Sequence, residues 1–269
     1  MATILVQTTL RDGEGEWQIE RFSALVSILQ NEGHEVVARN REPGADGSDP
    51  VLSTLDGSRF NELWLFAADR GNGLAPADVR GILRFRERGG GIFTSRDSEN
   101  IGLSLLNLGS VGLVNHFRAY NRHLRRRGFR GAFKRSRGKG EYERIVPLEP
   151  VHELLRTQRS KSGVIEYFPA PTHEAAISVP PYAPFARVIA VSGSGATGGA
   201  ANVAIAIDNE RCNDGRTCGR AVATSCLHQF ADTRLNGRAD EPAEIFKDFA
   251  RNIARWLAPA RHGEPVEPS

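Results

Sequence analysis

The sequence predicts an α/β fold with a doubly wound, mainly parallel sheet, and two observations carry that prediction. Short apolar runs alternate with amphipathic, helix-like segments from Thr3 to Leu108. The clearest run, Leu63–Phe66, is continuously apolar, which is typical of a strand buried on both faces. Alternating strands and helices favour parallel neighbours joined by right-handed crossovers.

The first part of the chain supplies four predicted strands and three predicted helices. The strands are Thr3–Gln7, Glu35–Arg39, Leu63–Phe66 and Ile92–Thr94. The first helix, Trp17–Glu32, carries apolar residues at helical spacing and ends at Gly33. The second has Pro76 in its first turn and ends at the triple glycine 89–91, and the third starts close to Ser98.

The second part of the chain is less regular. We predict a helical turn at Val151–Arg156, strands at Val164–Phe168, Arg187–Ser192 and Asn202–Ile207, and a final helix at Pro242–Leu257. The run Gly193–Gly198 matches the G-x-G-x-x-G pattern of dinucleotide sites in form. A strand-like segment follows it instead of the helix that would hold the pyrophosphate, so we interpret it as a hairpin loop and expect no nucleotide cofactor.

Length and composition fit one globular α/β domain with insertions, or a domain and a half. The chain has 269 residues, of which 40% are hydrophobic and 25% charged. We expect a single domain over 1–258, an irregular insertion at about 115–160 and a disordered, proline-containing tail at 259–269. No apolar stretch is long enough to span a bilayer and the first residues form a strand pattern, so we expect no membrane association and a cytoplasmic location.

The predicted insertion is strongly basic. Segment 117–140 contains ten arginines and lysines and no acidic residue, although the net charge of the whole chain is only +3. Aromatic residues lie among the basic ones, a pattern that a nucleic-acid-binding surface could have. A solvated loop insertion explains the same pattern, and we favour it because the aromatics form no recognisable RNA-binding motif.

The three cysteines leave their chemistry open. Cys212 and Cys218 flank a turn-like loop and could form a disulfide, although a cytosolic protein would normally keep them reduced. Cys226, with His228 two residues later, gives only an incomplete zinc spacing.

Two stretches carry a family resemblance. The turn GGGIFTSRDSENIG at 89–102 and the strand and turn GRAVATSCLHQF at 219–230, followed by NIARWL at 252–257, resemble the class I glutamine amidotransferase-like superfamily, in its trehalose-utilisation-protein-like branch of uncharacterised bacterial proteins. The resemblance implies a flavodoxin-like sheet. True glutamine amidotransferases place a nucleophilic cysteine after the strand that here ends at Thr94. No cysteine precedes Cys212, so amido transfer from glutamine is not expected.

The resemblance also concerns one histidine run. Related proteins carry a P-x-H-P-H-E-G-like run, where this chain reads Pro169–Ala175 with Pro171 in place of the first histidine. His173 and Glu174 keep the final pair of that run. If the family motif binds a metal through both histidines, this copy has lost one ligand.

Polar clusters that directly follow predicted strands form the candidate site. Ligands of open parallel sheets bind outside the carboxyl ends of the strands. The predicted catalytic or metal-binding residues are Asp97, Glu99, His173 and His228, and the predicted substrate-binding residues are Ser95, Arg96, Glu174 and Gln229. Two histidines and two carboxylates could bind a divalent metal that activates water, or could act as a metal-free acid–base pair.

Structural roles explain the same residues equally well. Asp97 or Ser98 could cap the following helix, and His228 could hydrogen-bond a loop carbonyl. The interpretation of Ser95 as a nucleophile is weaker because it lacks the G-x-S-x-G elbow.

From the polar clusters at the strand ends we expect a small-molecule hydrolase-like protein, with possible carbohydrate chemistry and a possible homo-oligomer. The alternatives are a non-catalytic binding or scaffold domain and, less favoured, nucleic-acid association through 117–140.

Overall fold

The computed structural model describes residues 1–96, 98, 100–116, 142–170, 177–192, 201–212, 214–235 and 241–259. Within these residues, nine strands form one sheet in the order β2-β1-β3-β4-β9-β8-β7-β5-β6. The strands are β1 Thr3–Arg11, β2 Glu35–Arg41, β3 Glu62–Ala67, β4 Gly91–Arg96, β5 Tyr142–Pro147, β6 Tyr167–Pro169, β7 Ala186–Ser192, β8 Asn202–Ile207 and β9 Ala221–Thr224.

Helices cover both faces of the sheet. They are α1 Ser23–Asn31, α2 Pro50–Ser53, α3 Pro76–Glu87, α4 Gly109–Val114, α5 Asp232–Leu235 and α6 Glu241–Leu257. Single 3₁₀ turns lie at Ile19–Phe22, Leu55–Gly57, Leu103–Asn107, Glu153–Leu155 and Leu227–Phe230. None of the helices in these described ranges has the length and apolar character needed to cross a bilayer.

The prediction of a mainly parallel, doubly wound, flavodoxin-like sheet is wrong. Among the described strands, β2, β1, β3, β4 and β9 pair in parallel, whereas β9, β8, β7, β5 and β6 pair antiparallel. The sheet is therefore mixed. The error has a physical cause: β8 is buried along almost its whole length, so its apolar run has the pattern of a parallel strand although it runs antiparallel to both of its neighbours, β7 and β9.

The predicted insertion is partly sheet. Tyr142–Pro147 forms β5, which pairs with both β6 and β7. Its burial pattern leaves only Ile145 buried, so no apolar run marks it in the sequence. Segment 117–140, on which the nucleic-acid hypothesis depends, lies outside the described residues, as do residues 193–200 and the tail 260–269.

Two apolar clusters lie on opposite faces of the sheet. One places Phe22 of the first 3₁₀ turn and Phe249 of α6 against the β3 and β4 side chains Phe66 and Phe93. The other packs Leu52, Ile82 and Val111, from α2, α3 and α4, against the opposite face. The edge where β4 and β9 end therefore lies between two packed layers.

Local sequence signals explain several of these elements. α3 begins at Pro76, and the Asp78 side chain accepts a hydrogen bond from the Ala75 backbone N–H at 2.9 Å. Gly89, with φ of 94°, follows its end. The third predicted helix differs: Ser98 lies in a bend, and the first helical residues after β4 are the 3₁₀ turn Leu103–Asn107.

The connection between β8 and β9 contains a disulfide. Cys212 and Cys218, whose redox state the sequence left open, are bonded to each other. Arg86 of α3 holds this connection in place, because its Nε donates to the Gly219 carbonyl at 2.9 Å and it pairs with Glu210 at 2.7 Å. Cys226 is buried and lies outside the disulfide.

Candidate functional site

The carboxyl ends of β4 and β9 carry a buried pair of hydroxyls. Ser95 and Thr224 are register partners in these parallel strands, and Thr224 Oγ1 donates to Ser95 Oγ at 2.8 Å. Both residues are fully buried. Within the described residues, the Ser95 hydroxyl bonds to Thr224 and makes no hydrogen bond with His228. The serine-nucleophile alternative therefore has no described geometry in its favour.

Arg96 follows Ser95 and anchors the chain after β4. Its buried guanidinium donates to three backbone carbonyls, those of Ser98, Ile101 and Asn115. Gly102 makes this close packing possible, because a Cβ there would lie 2.9 Å from Arg96 Cγ and its φ is 73°. These contacts anchor the backbone after β4, and the substrate-orienting role that the sequence predicted for Arg96 stays a prediction.

His228 lies on the 3₁₀ turn that directly follows β9. Its neighbours Leu227 and Phe230 are fully buried in the core and fix the turn. The residue is 9% exposed, and its imidazole packs against the Trp17 ring, with 4.2 Å between the ring centroids and 59° between the planes. His228 follows the end of β9, the position that the sequence predicted, and its predicted catalytic role stays a prediction.

Asn40 positions the loop that carries Trp17. Asn40 is the second-last residue of β2, and its Oδ1 accepts from the Ile19 backbone N–H at 2.8 Å and from Thr8 Oγ1 at 2.9 Å. The loop after β1 is thereby held across the carboxyl ends of the strands. The aromatic wall of His228 thus depends on a buried amide that the sequence analysis did not single out.

Three buried polar atoms flank this edge without a hydrogen-bond partner in the described residues. They are Ser225 Oγ, Gln229 Oε1 and Asn115 Oδ1. The other end of the Gln229 amide donates to the Pro169 carbonyl at 3.1 Å, and that of Asn115 donates to Thr94 Oγ1 at 3.3 Å. Native proteins seldom leave such atoms unpaired, since each costs about 1–3 kcal/mol.

Gln229 was predicted as a binding residue, but Ser225 and Asn115 were missed. Ser225 directly follows β9, so the strand-end rule that selected His228 could have found it. Asn115 ends α4, a helix whose place beside β4 becomes apparent only in the fold.

Half of the predicted site lies outside the described residues, namely Asp97, Glu99, His173 and Glu174. In the part of the chain that the structure describes, no group of three or more histidine, cysteine or acidic side chains could hold a metal ion. Since His228 is the one described member of the predicted ligand set, this finding does not test the metal hypothesis.

Comparisons with known proteins find similar solved structures but no matching family. No protein-family model matches the chain, and no curated protein matches it. A solved structure of the mmIFT52 N-terminal domain is similar at 13% identity with a TM-score of 0.50, covering 96% of this chain and 99% of that one. At that identity the likeness concerns the fold alone.

Two further solved structures are described as cytoplasmic proteins of Salmonella typhimurium. STM3548 matches at 8% identity with a TM-score of 0.49, covering 96% of this chain and 100% of that chain. STM1381, from strain LT2, matches at 9% identity with a TM-score of 0.49, covering 93% and 99%. The resemblance to the glutamine amidotransferase-like superfamily stays a prediction.

Proposed function

We propose that the carboxyl edge of β4 and β9 binds a small polar molecule and that His228 acts on it as a general acid–base group in a hydrolase-like reaction. One observation carries this proposal. Ser225 Oγ and Gln229 Oε1, which lie on either side of His228 in the chain, are buried and have no partner in the described residues. A ligand with complementary donors and acceptors would pair them and recover their desolvation cost.

The setting of His228 supports the acid–base role. Imidazole is the side chain whose ordinary pKa lies closest to neutral pH, so it can both take and give a proton there. Contact with Trp17 on one side and burial of the flanking Leu227 and Phe230 hold the ring in one place. Because Ser95 is fully buried and its hydroxyl already accepts a hydrogen bond from Thr224, this proposal takes water as the nucleophile.

The proposal also assigns roles to the predicted partners of His228. Asp97, Glu99 and His173 would complete the site, either as ligands of a divalent metal that activates the water or as metal-free acid–base groups. Elemental analysis of the purified protein separates these two routes. Stoichiometric metal that is lost in His228→Ala supports the first, and metal-free protein with full activity supports the second.

A non-catalytic binding domain is the second candidate, and specific contacts favour it. The described donors of Arg96 serve backbone carbonyls, and the Ser95 hydroxyl serves Thr224. Two of the predicted substrate-binding groups thereby make hydrogen bonds within the protein itself. This candidate predicts saturable ligand binding at the same edge without turnover.

The hydrolysis of a substrate panel tests the proposed reaction. We expect the wild type to hydrolyse a member of a panel of p-nitrophenyl esters, phosphates and glycosides, and His228→Ala to lower kcat by about 100-fold or more, since it removes the proton-transfer group. His152→Ala is the matched control, because the half-buried His152 also packs against a tryptophan, Trp256, but caps a different turn. Full activity in His228→Ala would refute the assignment, and a wild type that binds a ligand without turnover would establish the second candidate.

Three expectations from the sequence belong to the same proposal and have their own tests. Cell fractionation tests the cytoplasmic location, and sedimentation tests the homo-oligomer. Filter binding over a salt series tests nucleic-acid association through 117–140, for which affinity should fall steeply as salt rises.

A further inference from the structure

A second candidate binding site lies between α6 and the chain that follows the Glu153–Leu155 turn. A cavity of about 640 Å³ opens there, within the range of small-molecule sites. Its lining includes Arg156, Thr157, Arg159, Asp248, Asn252 and Arg255. The last three are spaced i, i+4 and i+7 along α6, so they share one face of that helix.

Hydrogen bonds make the frame of this cavity rigid. Asn252 Nδ2 donates to the carbonyls of Leu154 and Arg156 at 3.2 and 2.7 Å, which ties the segment to α6. Thr157 Oγ1 donates to Asp248 Oδ2 at 2.6 Å. The side chains of Asn252 and Thr157 are thus hydrogen-bonded within the protein, so they do not compete with a ligand.

The charges around the cavity do not cancel. Asp248 pairs with Arg159 at 3.3 Å and with Arg251 at 2.7 Å. Glu32, at the end of α1, pairs with Arg251 at 3.0 Å and with Arg255 at 2.5 Å. Each carboxylate therefore already has two arginines.

Arg156 adds a charge that nothing described balances. It is exposed, and its guanidinium has no hydrogen-bond or ion-pair partner among the described residues. The cavity lining and its ion-pair partners thus contain four arginines, Arg156, Arg159, Arg251 and Arg255, and two carboxylates, Asp248 and Glu32. Its remaining binding capacity consists mainly of N–H donors on positive groups.

We infer that this cavity binds a small organic oxyanion with two or more negative charges, such as a phosphate ester or a polycarboxylate. Guanidinium groups present paired N–H donors that match carboxylate and phosphate oxygens. Glu32 lies three residues before β2, which places Arg255 near the amino ends of the strands, away from His228 at their carboxyl ends. The inference is therefore independent of the proposed function.

Isothermal titration with pyrophosphate and with citrate tests this site on the full chain at low salt. We expect saturable one-to-one binding of at least one probe with a Kd of about 1 mM or tighter. Arg156→Gln should weaken it by about threefold or more and Arg156→Gln/Arg255→Gln by about tenfold or more, as loss of charged hydrogen bonds requires. Arg156→Gln removes no described protein contact of the side chain, so it should fold like the wild type.

Arg59→Gln is the control for diffuse charge. Arg59 is exposed and pairs with Glu35 at 2.6 Å outside the cavity, so its loss should leave the affinity within about twofold. The preferred probe distinguishes a phosphate from a carboxylate ligand. No saturable binding up to about 10 mM of either probe, or an equal loss in Arg59→Gln, would overturn the inference.

Discussion

Replacing Asp78 by alanine should lower the free energy of unfolding by about 3–5 kcal/mol, because it leaves a buried arginine without its partner. Asp78 is fully buried in α3, and its Oδ2 pairs with Arg41 at 3.3 Å. Its Oδ1 accepts from the Asp49 backbone N–H at 2.8 Å. Arg41 itself is only 5% exposed, so water cannot replace the lost carboxylate.

The expected loss is large because Asp78 also organises two helix starts. Asp49, whose backbone it binds, caps α2 by accepting from the Val51 and Leu52 N–H groups. The pKa of the Asp49 carboxyl lies below its usual range, because hydrogen bonds and the charge of Arg39 outweigh burial, the largest single influence, which raises it. The starts of α2 and α3 are thus joined through one carboxylate.

Urea denaturation of Asp78→Ala and Asp56→Ala measures this effect. Asp56 pairs with Arg84 at 2.9 Å on a more exposed surface, and such pairs contribute about 1 kcal/mol or less. If both variants lose the same small amount, the buried network does not hold α2 and α3 as described.

Replacing Glu62 by glutamine should remove a pH dependence of stability on the order of 5 kcal/mol. Glu62 begins β3 in a fully buried position, and its Oε2 accepts from Trp64 Nε1 at 2.9 Å while Oε1 has no partner in the described residues. Burial raises the pKa of this carboxyl from 4.5 to about 8, and the Trp64 hydrogen bond only partly opposes that effect.

The sign follows from the two pKa values. The stability contribution of the neutral Glu62 is fully present below the unfolded pKa near 4.5 and is lost as the pH rises through the folded pKa near 8. The glutamine introduced by Glu62→Gln stays neutral throughout. The unfolding free energy of the variant, measured against that of the wild type at several pH values, should therefore gain steadily from about pH 5 to about pH 9. A difference that does not change with pH would show that Glu62 is ionised in the folded protein.

Strand positions could be predicted where burial alone determines the residues. β3 and β8 coincide closely with the apolar runs Leu63–Phe66 and Asn202–Ile207, because a strand covered on both faces excludes polar side chains. β1 extends beyond the predicted Gln7 to Arg11, since its last part, including Thr8 and Thr9, buries polar residues that hydrogen-bond to neighbouring segments.

Strand direction could not be predicted, because it depends on the connections. β7 and β8 pair antiparallel, in agreement with the hairpin prediction. The antiparallel pairing of β5 with β7 and β6 depends on tertiary contacts, which the local sequence does not reveal. The polar strand β5 is recognisable only once its partners are known. The first half of the sequence indicated a parallel sheet, but the second half adds strands that pair antiparallel.

At the candidate site, too, positions along the chain could be predicted and tertiary contacts could not. The strand-end rule identified His228 and Gln229, since both directly follow β9. It could not show that Ser95 is engaged by Thr224, that Arg96 binds carbonyls, or that Ser225 is left unpaired, because each depends on a neighbour far away in sequence. Roles that depend on distant contacts require the fold.

Thermal shift with a library of small polar metabolites, applied to the wild type and Ser225→Ala, tests the carboxyl-edge site most directly. Without ligand, Ser225→Ala should be at least as stable as the wild type, because it removes a buried hydroxyl that has no partner in the described residues. At about a hundredfold excess over Kd, a ligand of the site should raise the Tm of the wild type by about 5 °C.

That shift should be largely lost in Ser225→Ala and retained in Ser110→Ala, a serine bonded to Arg86 and Glu210 near the opposite ends of the strands. Such a result would establish that the carboxyl edge of β4 and β9 binds the ligand through its unpaired polar atoms. A library without any stabilising compound, or a ligand that shifts Ser225→Ala as much as the wild type, would contradict the account.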